Sequence, residues 1–238
     1  MSADAWAPRR FWTRAEVREA EGGHAVTLDG RPVRTPAKAP LVLPSRALAE
    51  AIAAEWDAQE DRVDPASMPF TRLSNTSLDR VGPQHGAVVA MIAEYGGADL
   101  TCYRAVTPAT LARRQAEAWD PLLDWADATF GARLTPVAGV MHLAQPTEAL
   151  ARLTDAVSGQ DPFRLTALAD LVSISGSLVL GLAVAHRHLD AGAAWPLSRV
   201  DEDWQSEQWG RDDEAEAHAA LKRADFLRAE RMLALLDD

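Results

Sequence analysis

A change of hydrophobic period near Ser45 constrains this chain more than any other feature. Before it, short apolar-polar alternations are punctuated by turn dipeptides; after it, apolar residues recur at helical spacing almost to the end. Gly22-Gly23 and Asp29-Gly30 mark turns, and Asp29-Gly30 favours a tight hairpin because glycine supplies positive φ. Segments 24–28 and 31–35 alternate as short strands, and 10–13 and 41–43 are further strand candidates. Pro32, Pro36 and Pro40 confine these segments to edges or strand starts. A small antiparallel sheet is the expectation.

Beyond it the spacing predicts helices. Ser45 is a good N-cap for a helix to about Gln59, with Leu48, Ile52 and Trp56 on one stripe. Asp64-Pro65 restarts the chain into a broken helical stretch, and Pro83 opens a helix carrying Val88, Val89, Ile92 and Tyr95. Gly96-Gly97 ends that helix and is the expected domain boundary. Thr107-Pro108 opens a long helix to Phe130, which Pro121 should kink or split and Gly131 should stop. An extended connector spans 134–143, then come a helix from Pro146 to Gly159 and an apolar helical hairpin from Asp161-Pro162 to Leu189. Trp195-Pro196 leads into an acidic-aromatic segment, and 211–236 reads as a charged terminal helix. The fold class is α+β: a small antiparallel β-containing N-terminal domain over 1–95, then a mainly α-helical domain over 96–238.

Composition narrows the function. A formal net charge of -11 argues against a general nucleic-acid binder, which needs a basic face. The single cysteine, Cys102, excludes an internal disulfide and a cysteine-cluster metal site, and is expected to be a small buried hydrophobe. The longest apolar run, 171–185, falls short of the roughly 20 residues a membrane span needs and is broken by serines and a glycine. The N-terminal stretch 1–10 has no apolar core of signal-peptide length. A cytoplasmic protein, monomeric when free, is expected.

No chemistry-bearing constellation emerges. His186 and His188 stand two apart, whereas helical zinc sites use i, i+4. The stretch 176–181 lacks the Lys-Ser/Thr ending of a phosphate loop; its small residues suit close helix packing. Ser173, Ser175 and Ser177 lack the nucleophile-elbow pattern. The chain is expected to be a non-enzyme without metal or cofactor.

The acidic-aromatic segment 197–210 remains. From residue 201 to the end the chain carries 12 acidic and 5 basic residues. Asp201, Glu202, Gln205, Glu207 and Trp209 are the expected partner-binding residues, because a large aromatic among carboxylates combines contact area with electrostatic steering. Trp56, Trp119, Trp125 and Trp204 are expected to be structural. The alternatives are a small-molecule enzyme using the acidic cluster, and a stable subunit of a larger complex.

Seven blocks in order carry a family resemblance: 10–12 (RFW), 26–36 (VTLDGRPVRTP), 54–56 (AEW), 75–79 (NTSLD), 102–104 (CYR), 119–126 (WDPLLDWA) and 204–210 (WQSEQWG). In these the chain resembles the assembly chaperones of the F-one, catalytic sector of the ATP synthase, the kind that binds the free alpha subunit. The resemblance implies a β-containing domain followed by a helical one. It also implies an ATP-independent chaperone that shields the unassembled alpha subunit from aggregation. It places the family's critical acidic position at Asp201, where other members carry Glu, with Glu202 as a competitor; an Asp201→Lys protein is expected to fold yet lose function. Trp56 matches a sensitive family position. The resemblance begins by about Arg9, leaving no room for a mitochondrial targeting segment, so a bacterial cytoplasmic version is expected. Lys38 and Lys222 as the only lysines fit a GC-rich genome.

Overall fold

The computed structural model describes residues 9–237; most of the N-terminal stretch read for a signal peptide lies outside them. The fold is α+β, an antiparallel sheet near the N-terminus followed by helices. The described residues form two compact units, divided after Gln84 and not at Gly96-Gly97; the first also takes in Asp161–Thr166 and the residues from Arg231 on.

In the first unit, β2 (Gly23–Leu28) is the central strand, paired antiparallel with β1 (Ala15–Ala20), β3 (Arg31–Pro32) and β4 (Val42–Leu43). Strand β1 is absent from the sequence-based expectation: the run AEVREA reads as helix by composition, and its strand state comes from pairing with β2 along its whole length. Residues 10–13, expected as a strand, form none; Arg10 instead binds the carbonyls of Trp12, Thr13, Asp57 and Gln59. Asp29 and Gly30 make the β2–β3 turn at φ 46° and 82°. The Asp29 carboxylate accepts the Thr13 and Arg14 N–H groups at 2.9 and 3.0 Å, and these bonds hold its pKa below the ordinary value. Gly23 is obligatory, since a Cβ there would overlap the Leu43 carbonyl.

Helix α1 (Arg46–Asp57) covers this sheet, burying Leu48, Ala49, Ile52 and Ala53 at helical spacing. Ser45 caps it, accepting the Leu48 N–H at 3.2 Å. Trp56, at the end of the stripe, is half-buried and meets the buried Trp12 edge to face with centroids 5.1 Å apart. Glu55 accepts the Phe70 and Thr71 N–H groups and the Thr71 hydroxyl, so it caps the N-terminus of α2 (Pro69–Thr76). A π-helical turn over Ser77–Val81 comes next, and there Asp79 ties back to the sheet segment through the Thr35 hydroxyl at 2.6 Å.

The second unit is helical. Helix α3 (His85–Ala93) packs on α5 (Thr147–Ser158). Helix α4 (Ala109–Phe130) buries Gln115, Trp119, Leu122, Leu123 and Ala126, and runs unbroken through Pro121. Of the kink or split expected there, the split does not occur; the buried stripe on either side holds the helix together despite the lost hydrogen bond. Gly131 stops it at φ 66°. The apolar run 171–185 is split between α6 (Pro162–Ser175) and α7 (Leu178–Ala185), and a Cβ on Gly181 would lie 2.5 Å from the Val172 side chain, so the small residue sets their close approach. Two short strands, β5 (Tyr103–Arg104) and β6 (Val137–Ala138), pair in parallel. Helices α8 (Ala191–Leu197), α9 (Val200–Trp209) and α10 (Asp213–Asp237) complete the chain. Among the described residues, no helix is long and apolar enough to cross a membrane.

Buried polar groups in this unit are consumed by architecture. Asp99 is fully buried and accepts from the Thr101 N–H and hydroxyl, the Ser177 hydroxyl and the Val179 N–H at 2.7 to 3.0 Å. Burial nonetheless pushes its pKa up. Cys102 has no exposed surface, and burial pushes its thiol up to about 12.

Candidate partner-binding surface

Helix α9 carries the acidic-aromatic segment, and its geometry divides the five expected binding residues into two groups. Asp201, Glu202 and Asp203 occupy the first turn, where carboxylates oppose the positive end of the helix dipole. Two residues then turn toward α4. Asp201 is half-buried and accepts the Gln115 side-chain N–H at 2.6 Å. Glu207 receives the Arg114 guanidinium at 2.8 and 2.7 Å, one bond to each carboxylate oxygen.

Gln115 is itself buried, and its carbonyl oxygen accepts the Ala105 N–H at 2.7 Å. One turn along α4, the Trp119 indole donates to the Leu197 carbonyl at 2.7 Å, and the Arg104 guanidinium lies 5.1 Å from its ring centre. Arg104 also binds Asp120 at 2.7 Å. The polar side of α4 thus fixes the start of α9 and the 103–105 segment together.

The other three residues, Glu202, Gln205 and Trp209, face a groove of about 320 Å³ between α9 and the start of α10, bounded also by Arg199, Asp212 and Glu216. Helical spacing places Asp201 on a face with Gln205, but Asp201 does not line this groove. Trp209 is 79 % exposed, the most exposed aromatic among the described residues. Arg199 stands 3.8 Å from both Glu202 and Asp203, leaving the groove three carboxylates to one guanidinium.

The exposure of the next segment was not legible in the sequence. From Glu207 to Asp225 every residue except Ala219 is exposed, so the first half of α10 is solvated on all sides. Only from Phe226 onward does α10 pack, with Phe226 against Trp195 at 5.9 Å. A helix polar all round gains little from burial and stands free as a surface for something else. The charge pattern of 211–225 is the available signal, and by itself it reads as an ordinary charged terminal helix.

Of the tryptophans expected to be structural outside the sheet unit, Trp119 is 1 % exposed, Trp125 is half-buried against Phe130 and His188, and Trp204 is half-buried. His186 lies edge-on to Phe130 and His188 stacks on Trp125 at 4.9 Å. Among the described residues, no group of His, Cys, Asp or Glu is placed to hold a metal ion. Glu202 is 53 % exposed where it lines the groove.

Known proteins share this architecture. The chain is 50% identical to Atp12 from Paracoccus denitrificans over 96% of its own length and 98% of that chain, with a TM-score of 0.93. An aspartate-to-lysine mutant of the same Paracoccus protein matches at a TM-score of 0.94, again at 50% identity, over 96% of this chain and 97% of that one. Protein atp12, mitochondrial, of Schizosaccharomyces pombe is 24% identical over 219 residues, which cover 87% of this chain and 75% of that protein. The sequence pattern of the family described as ATP12 chaperone protein matches residues 9–127, and with the Paracoccus likeness it shows that this chain belongs to the ATP12 chaperone family.

Proposed function

We propose that this protein is an ATP-independent chaperone of ATP synthase assembly that holds the unassembled alpha subunit and keeps it from aggregating. Membership of the chaperone family supports a holding role, and the seven-block resemblance names the client. A free subunit exposes the apolar surface it later buries against its neighbour, and such a surface is an aggregation liability.

The observation that carries the reading is the groove between α9 and α10. It sets a 79 % exposed tryptophan beside the carboxylates of Glu202, Asp212 and Glu216. Trp209 offers a hot-spot anchor, and the carboxylates steer a basic rim on the partner. The solvated half of α10 adds an open helical face. In this reading Glu202, Gln205 and Trp209 touch the client, while Asp201 and Glu207 fix the helix that presents them. The protein acts as a monomer in the bacterial cytoplasm, without cofactor or catalysis.

The test is light scattering of purified alpha subunit diluted from denaturant. Intact protein at equimolar amounts should suppress scattering, and Trp209→Ala combined with Glu202→Lys should not. Equal suppression by the double variant would move the contact away from the groove.

A further inference from the structure

On the sheet-containing unit, far from the acidic segment in sequence, we infer that the cavity formed by Phe11, Trp12, Val33 and Trp56 binds an acidic polypeptide segment through one apolar side chain. The cavity holds about 230 Å³. That is below the roughly 300 Å³ at which pockets for drug-sized molecules begin, and suits a single leucine- or phenylalanine-sized group. Its walls are apolar, and its charged lining is wholly basic: Arg9, Arg31 and Arg34, with no carboxylate. In a chain with 35 acidic residues against 24 Lys and Arg, three exposed arginines around one apolar opening form a local field of opposite sign.

These arginines differ from their neighbour Arg10. That guanidinium is spent on backbone carbonyls and on Asp57, and lies over the Trp12 ring at 5.5 Å. Arg34 gives one N–H to the Lys38 carbonyl at 2.9 Å, out of the five a guanidinium carries. The walls carry a second mark of a binding site. Trp12 and Trp56 each hold a buried indole N–H with no acceptor among the described residues, and buried donors of this kind are rarely left unpaired. A carbonyl or carboxylate of the entering segment is the acceptor that a small ring rotation would supply. Phe11, 68 % exposed and edge-on to Trp12 at 5.2 Å, provides the apolar lip. The arginine-rimmed cavity therefore takes a stretch of partner opposite in charge to that taken by the α9–α10 groove.

The experiment uses the full chain and the peptide acetyl-Glu-Glu-Leu-Glu-Glu-amide, with binding read from the indole N–H signals of Trp12 and Trp56 in nuclear magnetic resonance spectra. Saturable shifts of those two signals are expected. Replacing the peptide's glutamates by lysine, or its leucine by glycine, should weaken binding roughly tenfold or more, as should Arg31→Glu or Arg9→Glu in the protein, about 1.4 kcal/mol each. No shift with the acidic peptide, equal affinity for the lysine peptide, or full affinity in both arginine variants would overturn the assignment. So would movement of the same signals on concentrating the protein alone, which would give the cavity to a second copy of the chain. Peptide binding is read without any client, so its failure leaves the reading of the α9–α10 groove untouched, and the reverse holds.

Discussion

The Asp201 carboxylate accepts a 2.6 Å hydrogen bond from the buried amide of Gln115, whose carbonyl oxygen accepts the Ala105 N–H at 2.7 Å. The Asp201 acid is therefore a structural acceptor as well as a surface charge. Asp201→Ala leaves a buried donor without a partner and should lower stability by about 1–3 kcal/mol. Asp201→Asn, which still presents an oxygen, should lose less. Urea unfolding of the two variants checks this, and identical midpoints would contradict it. Asp201→Lys carries the same cost, so any loss of holding by that variant has a folding component.

Trp209 is the opposite case. At 79 % exposure it contributes little to the core, and Trp209→Ala should change stability by no more than about 0.5 kcal/mol. Its effect should fall on client binding alone. Thermal unfolding and co-elution with the alpha subunit, measured on the same preparation, separate the two.

Glu55 gives a pH dependence with a defined sign. Its carboxyl caps α2, yet burial outweighs the three donors it accepts and raises its pKa above 4.5. A raised folded value means the stabilising contribution is full below about pH 4.5 and is lost as pH rises through the folded value. The stability advantage of the wild type over Glu55→Gln should therefore narrow from pH 4 toward neutrality. Denaturation curves at several pH values test it; a widening advantage would mean that the hydrogen bonds outweigh burial.

Cys102 should be inert. With its thiol pushed up to about 12 and no exposed surface, almost no thiolate exists at pH 8. A disulfide-exchange reagent should leave the folded protein unmodified and titrate the thiol only after unfolding in urea. Prompt reaction of the folded protein would show that the 99–104 segment opens.

The sequence displayed most of the fold because its signals were local. Asp29-Gly30, the Ser45 cap and Gly131 announce their turns and helix ends through backbone requirements that few residues meet. Strand β1 was hidden because one valine among Ala, Glu and Arg is a weak strand signal until β2 lies beside it. Pro121 does not split α4, because Trp119, Leu122 and Leu123 on either side of it are buried. On α9, spacing named the residues but not their partners. That Asp201 meets Gln115 and Glu207 meets Arg114 depends on the docking of α4, across more than eighty residues of chain. Several blocks that carry the family resemblance prove to be internal ties: Asp29 on Thr13, Glu55 on Thr71, Asp79 on Thr35 and Arg104 on Trp119.

The most direct test of the central claim is site-specific photo-crosslinking to the free alpha subunit. A benzophenone amino acid is introduced at position 209 in one protein and at position 113, on the exposed side of α4, in another. Position 209 should yield a one-to-one adduct with the alpha subunit, mapping to an apolar stretch bordered by basic residues, and position 113 should yield little. Adducts from position 113 with none from position 209 would contradict the assignment of the α9–α10 groove as the client-holding surface.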